Sequence, residues 1–133
     1  MSETDWEALK LAAMDARSRA YAPYSGFAVG AALQTKNGRV FQGCNVENAS
    51  YGAAICAERG ALVAAVAAGE RDLVALAIVG GAERPTPPCG ICRQCLSELA
   101  PDLRIRSYTD NGAFTDYELA ELLPDPFDRT QLE

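Results

Sequence analysis

Two cysteine motifs constrain this chain more than any other feature. Cys56-Ala57-Glu58 opens one helix-like stretch, and Pro88-Cys89-Gly90-Ile91-Cys92 opens the next, roughly thirty residues later. That interval holds one helix and one strand, so both motifs fall at helix starts joined by a single crossover. Unpaired N–H groups and the helix dipole favour a thiolate there. Cys-x-x-Cys at a helix start lets two sulfurs converge on one tetrahedral ion, and a third sulfur from a neighbouring helix start leaves one position open. Three protein ligands with an open position is the catalytic arrangement of zinc, whereas structural sites usually close with four. Glu58, two residues after the first ligand, is placed to reach that open position without ligating, as a proton shuttle does. A lone Cys-x-x-Cys also fits a redox dithiol, and a lone Glu58 fits a solvated helix position. Together, at this spacing, they favour the metal centre.

Composition narrows the chemistry further. The chain has five cysteines and no histidine, which excludes Ser-His-Asp and Cys-His catalysis and any imidazole-ligated zinc site. An odd number of cysteines points to a reducing compartment and to metal or catalysis instead of disulfides. Met1-Ser2-Glu3-Thr4-Asp5 carries no apolar run, so no secretory signal is expected and the cytoplasm is the expected location. The net charge of −6 gives no electrostatic footprint for a phosphate backbone, so a small, uncharged or weakly charged ligand fits better than long nucleic acid. The longest apolar stretch, Ala61 to Ala68, is far short of the roughly 20 residues of a membrane span. At 133 residues the chain is expected to be a single domain, 1–133, with a core that needs no staples.

The pattern of elements predicts an α/β fold. Thr4 is expected to cap a first helix in a capping box with Glu7, the helix running to about Ala20 with Leu9, Ala13 and Ala16 on its inner face. Strands are expected near Phe27–Thr35 and Val40–Val46, joined by a hairpin turn with Asn37 and Gly38 both at positive φ. An alanine-rich helix from Cys56 to Ala68 should end at Gly69 as its C′ residue. Leu73–Val79 reads as a strand buried on both faces, Gly90–Leu99 as a helix, and Leu103–Tyr108 and Phe114–Tyr117 as strands. Glu118–Leu123 reads as a last helical turn or two. This alternation predicts a three-layer α/β/α domain whose mixed five-stranded sheet starts with an antiparallel hairpin and continues through parallel crossovers.

Several further motifs stand in order along the chain: Tyr21-Ala-Pro-Tyr-Ser25, Val29-Gly-Ala-Ala32, Gly43-Cys-Asn-Val-Glu-Asn48, Cys56-Ala-Glu-Arg59, Pro88-Cys-Gly-Ile-Cys-Arg-Gln94 and Leu122-Leu-Pro124. With them the chain resembles the small, homotetrameric, three-cysteine cytidine deaminases over nearly its whole length. The resemblance implies one zinc ion per subunit at Cys56, Cys89 and Cys92, with Glu58 as the proton shuttle. It implies that Asn45 and Glu47 bind the ribose hydroxyls, that Phe27 packs beside the pyrimidine, and that the Ala57 N–H and carbonyls near Cys89 read the base edge. Ala49, Tyr51 and Phe127 fall where the family builds the pocket of a neighbouring subunit, so a homotetramer with shared sites is implied. Pro124-Asp125-Pro126-Phe127 departs from the Gly-Ala spacer usual there. Cys44 and Cys95 lie outside the motif and are expected to be small core residues.

The reaction implied is hydrolysis of cytidine and 2′-deoxycytidine to the uracil nucleosides and ammonia, a step of pyrimidine salvage. Three thiolates around a divalent ion would leave a net negative site. Arg59 and Arg93, immediately after the metal motifs, are placed to donate to the sulfurs and draw off charge. Competing readings are a sister deaminase of another aminopyrimidine such as blasticidin S, a nucleic-acid-editing deaminase, and a non-catalytic zinc or redox module. Asn45 with Glu47 favours an ordinary ribose, the acidic charge disfavours nucleic acid, and Glu58 argues against a structural site.

Overall fold

A computed structural model describes residues 4–81 and 83–133. The acidic opening Met1 to Glu3 lies outside the described residues. The elements are α1 (Trp6–Arg17), β1 (Val29–Thr35), β2 (Val40–Cys44), a 3₁₀ turn (Tyr51–Ala53), α2 (Ala57–Ala67), β3 (Leu73–Gly80), α3 (Gly90–Leu99), β4 (Arg104–Tyr108), β5 (Phe114–Glu118), α4 (Leu119–Leu122) and a terminal 3₁₀ turn (Arg129–Leu132). One five-stranded sheet runs β2-β1-β3-β4-β5.

Local chemistry moves several boundaries from their expected places. Asp5, not Thr4, caps α1, because its carboxylate accepts the Ala8 N–H at 3.0 Å. The helix ends at Arg17, three residues early, where the Arg19 and Ala20 N–H groups turn to the i−3 carbonyls of Ala16 and Arg17. In the β1–β2 hairpin only Gly38 takes positive φ, at 90°. The Gly38 N–H bonds back to Thr35 O at 3.0 Å and the Arg39 N–H to Thr35 Oγ1 at 3.0 Å. This is a type I turn followed by a glycine bulge, so Asn37 needs no left-handed backbone. Gly69 does follow α2 with φ of 91°, as a C′ glycine should.

The sheet is mixed, with one refinement of the expected crossovers. β1 pairs antiparallel with both β2 and β3, β3 pairs parallel with β4, and β4 pairs antiparallel with β5. Thus β2, β3 and β4 run the same way, but the β2-α2-β3 crossover passes over β1. Only β3 and β4 form a hydrogen-bonded parallel pair. The hairpin explains this, because it had already placed β1 at the edge that β3 joins.

Alternation along the strands makes two cores. On one face Leu9 and Ala13 of α1 meet Ala32, Ala75, Ala77 and Val79. These strand residues are mostly alanine, so α1 lies close, and burying Leu9 there contributes roughly 1.5–3 kcal/mol. On the other face Leu33, Leu76, Ile78 and Ile105 meet α2, α3 and Leu119 of α4. Helices on both faces complete the three layers. Cys95 packs against this second core, as expected of a small apolar side chain, and Cys44 is half-buried at the end of β2.

The seat of α2 is set by Gly43. A Cβ built there would come within 2.3 Å of Ala57 O and 2.3 Å of Ala61 N, so helix backbone rests on strand backbone. At Gly60, the facing helix position, a Cβ would meet Gly43 Cα at an ordinary 3.5 Å. Gly43→Ala should therefore cost about 1–3 kcal/mol and lower the unfolding midpoint by roughly 4–12 °C. Gly60→Ala should be neutral or stabilising, because it removes a helix-interior glycine. Thermal unfolding of the two variants side by side checks the difference.

Candidate active site

β2 and β3 end at the same edge of the sheet, where β1 begins: Gly30 stands opposite Cys44, and Val29 opposite Gly80. The chain leaving each strand therefore enters its helix at that edge. Cys56 is the N-cap of α2 and Cys89 the N-cap of α3, and neither side chain caps its own helix. Both sulfurs are thus free to turn outward, while Cys92, in the first turn of α3, is fully buried beside them.

The three sulfurs lie within 4.8 Å of one another, with Cys56 Sγ and Cys89 Sγ 3.7 Å apart. Tetrahedral zinc with Zn–S bonds of about 2.3 Å separates its sulfurs by about 3.8 Å, so the donor set fits that ion. Protons report the same crowding. A hydrogen bond from the Cys92 thiol, acting against burial and helped by Arg59, lowers the Cys56 thiol to about 5. The same bond, with burial and the Glu58 carboxylate, pushes Cys92 far up. One proton is shared where a divalent cation would take the place of several.

Glu58 follows in the first turn of α2 and is only 5% exposed. Burial raises its carboxyl to about 7, opposed by a backbone hydrogen bond and reinforced by the negative charge of Cys56. A carboxyl poised there can take up and release a proton near neutral pH. A cavity of about 200 Å³ opens over this group, walled by Phe27, Asn45, Cys56, Ala57, Glu58 and Cys89. A larger groove of about 660 Å³ lies at the far end of the sheet, between Trp6, Lys36, Asp72 and Arg104. It holds no thiol, and its cations face as many carboxylates.

Of the expected sugar-binding residues Asn45 walls the thiol cavity and Glu47 does not, and both are partly engaged. Asn45 Oδ1 accepts the Val29 N–H at 2.8 Å, and its Nδ2 donates to Phe27 O at 2.8 Å. Glu47 Oε1 accepts the N–H groups of Tyr24 at 2.9 Å and Ser25 at 3.1 Å, and Oε2 accepts from the Ser25 hydroxyl. The Ser25 hydrogen bond holds the Glu47 carboxyl below its usual range. Glu47 and Tyr51 wall a second cavity of about 320 Å³ together with Tyr24 and Ser25, and Tyr24 meets Tyr51 edge to face at 6.2 Å. Ala49 and Phe127 are exposed and wall neither of these two cavities.

Of the two arginines, Arg59 reaches the cluster. Its Nη2 lies 3.8 Å from Cys56 Sγ and 3.2 Å from Ala54 O, and its Nε is buried with no partner. Arg93, expected beside a sulfur, instead donates from Nε to Pro88 O at 2.8 Å and from Nη1 to Leu122 O at 3.3 Å. The loop turning into α3 presents the first carbonyl and the end of α4 the second, and the guanidinium fork spans them. Gln94, the next residue, donates to Phe127 O at 2.7 Å. Thr86 and Pro87 also wall the thiol cavity and were not singled out in the sequence. The buried Ser107 hydroxyl fixes Thr86 O at 2.7 Å, and in the mixed strand Arg-Ile-Arg-Ser-Tyr nothing in the sequence marks that serine.

Convergent thiols, a buried carboxyl and an open cavity at the strand ends together make the donor set of a metal-dependent hydrolytic centre. The family model described as the cytidine and deoxycytidylate deaminase zinc-binding region matches residues 3–105. The chain belongs to this family. A cytidine deaminase of Halalkalibacterium halodurans is 50% identical over 116 residues, covering 86% of this chain and 88% of that protein. One from Mycobacterium tuberculosis is 44% identical over 132 residues, covering 96% and 92%. The crystal structure of cytidine deaminase from Burkholderia pseudomallei superposes with a TM-score of 0.89 at 51% identity, covering 94% of this chain and all of that one. Replacing Cys89 with Ala should lower zinc retention roughly tenfold or more. Metal analysis after exposure to a mild chelator checks this against the parent protein.

Proposed function

We propose that this protein is a zinc-dependent hydrolase that converts cytidine and 2′-deoxycytidine to the uracil nucleosides and ammonia, in cytoplasmic pyrimidine salvage. The observation that carries the reading is the buried Glu58 carboxyl sharing one small cavity with Cys56 and Cys89, whose sulfurs converge with that of the buried Cys92. Cys56, Cys89 and Cys92 would hold one zinc ion per subunit, which when bound supplies a Lewis acid and an acidified water.

The rest of the chemistry falls to the chain. Glu58 carries the two protons of the attacking water in turn, the first to N3 of the pyrimidine and the second, from the hydroxyl formed at C4, to the departing amino group, and so ends as it began. Phe27 packs beside the ring, while the Ala57 N–H at the start of α2 and carbonyls before Cys89 read the base edge. Asn45 keeps one amide hydrogen and one oxygen lone pair for the ribose after its two backbone bonds, and Glu47 keeps one lone pair, on Oε2, for a hydroxyl. Arg59 draws negative charge from Cys56 through the contact already described. Arg93 serves the same centre differently, by fixing the carbonyl that precedes Cys89.

The exposed Ala49, Tyr51 and Phe127 are read as parts of a neighbouring copy's pocket in a homotetramer. On that reading, dilution should dissociate the assembly and abolish activity over the same concentration range. Sedimentation and rate measured together check it, and a fully active monomer refutes it. Glu58→Gln should keep zinc and lower kcat by roughly 10²–10⁴-fold. Parallel metal analysis and turnover test this, and parental activity in the variant would remove Glu58 from its role.

A further inference from the structure

Ser25 closes the motif Tyr21-Ala-Pro-Tyr-Ser25, yet the chemistry above leaves it without a task. Its hydroxyl sits at a junction. It donates to Glu47 Oε2 and accepts the Phe27 N–H at 3.0 Å. Gly26, between them, has φ of 70°, a left-handed turn that folds Phe27 N back onto the serine oxygen. On the other side of Phe27, its carbonyl is held by Asn45. One hydroxyl therefore links the carboxylate read as sugar-binding to the backbone of the aromatic read as base-packing.

Resting on the function proposed above, we infer that Ser25 is a positioning residue: it holds the Glu47 carboxylate and the Phe27 backbone in register with each other and so sets affinity for the nucleoside. A carboxylate on a surface loop ordinarily swings about its side-chain torsions. Here two backbone N–H groups fix Oε1 and the hydroxyl fixes Oε2, so the lone pair left on Oε2 is aimed before a sugar arrives. Preorganisation of this kind lowers the ordering cost of binding. The group must donate on one side and accept on the other, which a hydroxyl does and a methyl cannot. The same bond lowers the Glu47 carboxyl further below its ordinary acidic range, and the carboxylate is an acceptor throughout the neutral range with or without it. The bonds of Ser25 do not touch the sulfurs or Glu58, so its effect belongs to binding and not to proton transfer.

The test compares zinc-loaded parent, Ser25→Ala and Ser25→Thr on cytidine and on 2′,3′-dideoxycytidine, which lacks both ribose hydroxyls. Where dideoxycytidine turns over too slowly, its inhibition constant against cytidine serves instead. Ser25→Ala should raise KM for cytidine about tenfold, the scale of a lost hydrogen bond to a charged group, with kcat within about twofold. Ser25→Thr should restore KM to within about threefold of the parent, and the alanine penalty should shrink to about threefold or less on dideoxycytidine, where Glu47 has no hydroxyl to hold and the Phe27 contribution alone remains. A merely structural serine would lower kcat and thermal stability on both substrates alike, and that outcome overturns the inference. An unchanged KM overturns it too. If Ser25→Ala does not fold, Ser25→Cys, with a weaker donor of similar size, reads the same split. Failure of the parent to deaminate cytidine would instead sink the function itself, and the inference with it.

Discussion

Backbone-to-backbone packing of α2 on β2 sets the geometry on which the site depends. Without a side chain at Gly43, the helix settles onto the strand over Ala57 and Ala61, and its N-terminus comes down at the edge where β3 also ends. β2 and β3 run the same way, so the chain turns from each into a helix start on the same side of the sheet. Two N-caps then meet, and both are cysteines. An open α/β sheet places its ligands beyond the carboxyl ends of its strands for this same reason.

Electrostatics at that meeting point are built around negative charge. Thiol groups crowded to 3.7 Å cannot all ionise without a counter-charge. Arg59 offers part of one, through its Nη2 contact with Cys56 Sγ at 3.8 Å. Glu58 responds to the same field and to burial by holding its proton up to about 7. A carboxyl that a surface position would leave ionised is thereby made fit to carry protons, by burial first and the charge of Cys56 second.

Much of this was legible in the residues. The apolar run Leu73–Val79 became the central strand, Gly69 ended α2, and the three cysteines of the two motifs converged while Cys95 packed into the core. What was not legible was decided by longer-range geometry. The pattern of β1 did not say which strand would join its free edge, so the crossover over β1 was not foreseen. Asn37-Gly38 fits two kinds of hairpin, and the Thr35 hydroxyl selected the bulged one. Arg93 follows the metal motif as closely as Arg59 does. It points away because one helical step turns it from the sulfurs toward the carbonyls of Pro88 and Leu122. The second tasks of Asn45 and Glu47, bracing the loop that carries Phe27, had no sequence signal beyond their polarity.

The account stands most directly on whether one purified preparation both carries zinc and deaminates cytidine. Metal analysis and the fall in cytidine ultraviolet absorbance, read from the same sample, measure the two together. The account predicts about one zinc per chain, from the single three-thiol donor set, and turnover that disappears when the metal is stripped and returns when it is restored. Stoichiometric zinc with no turnover of cytidine would contradict it.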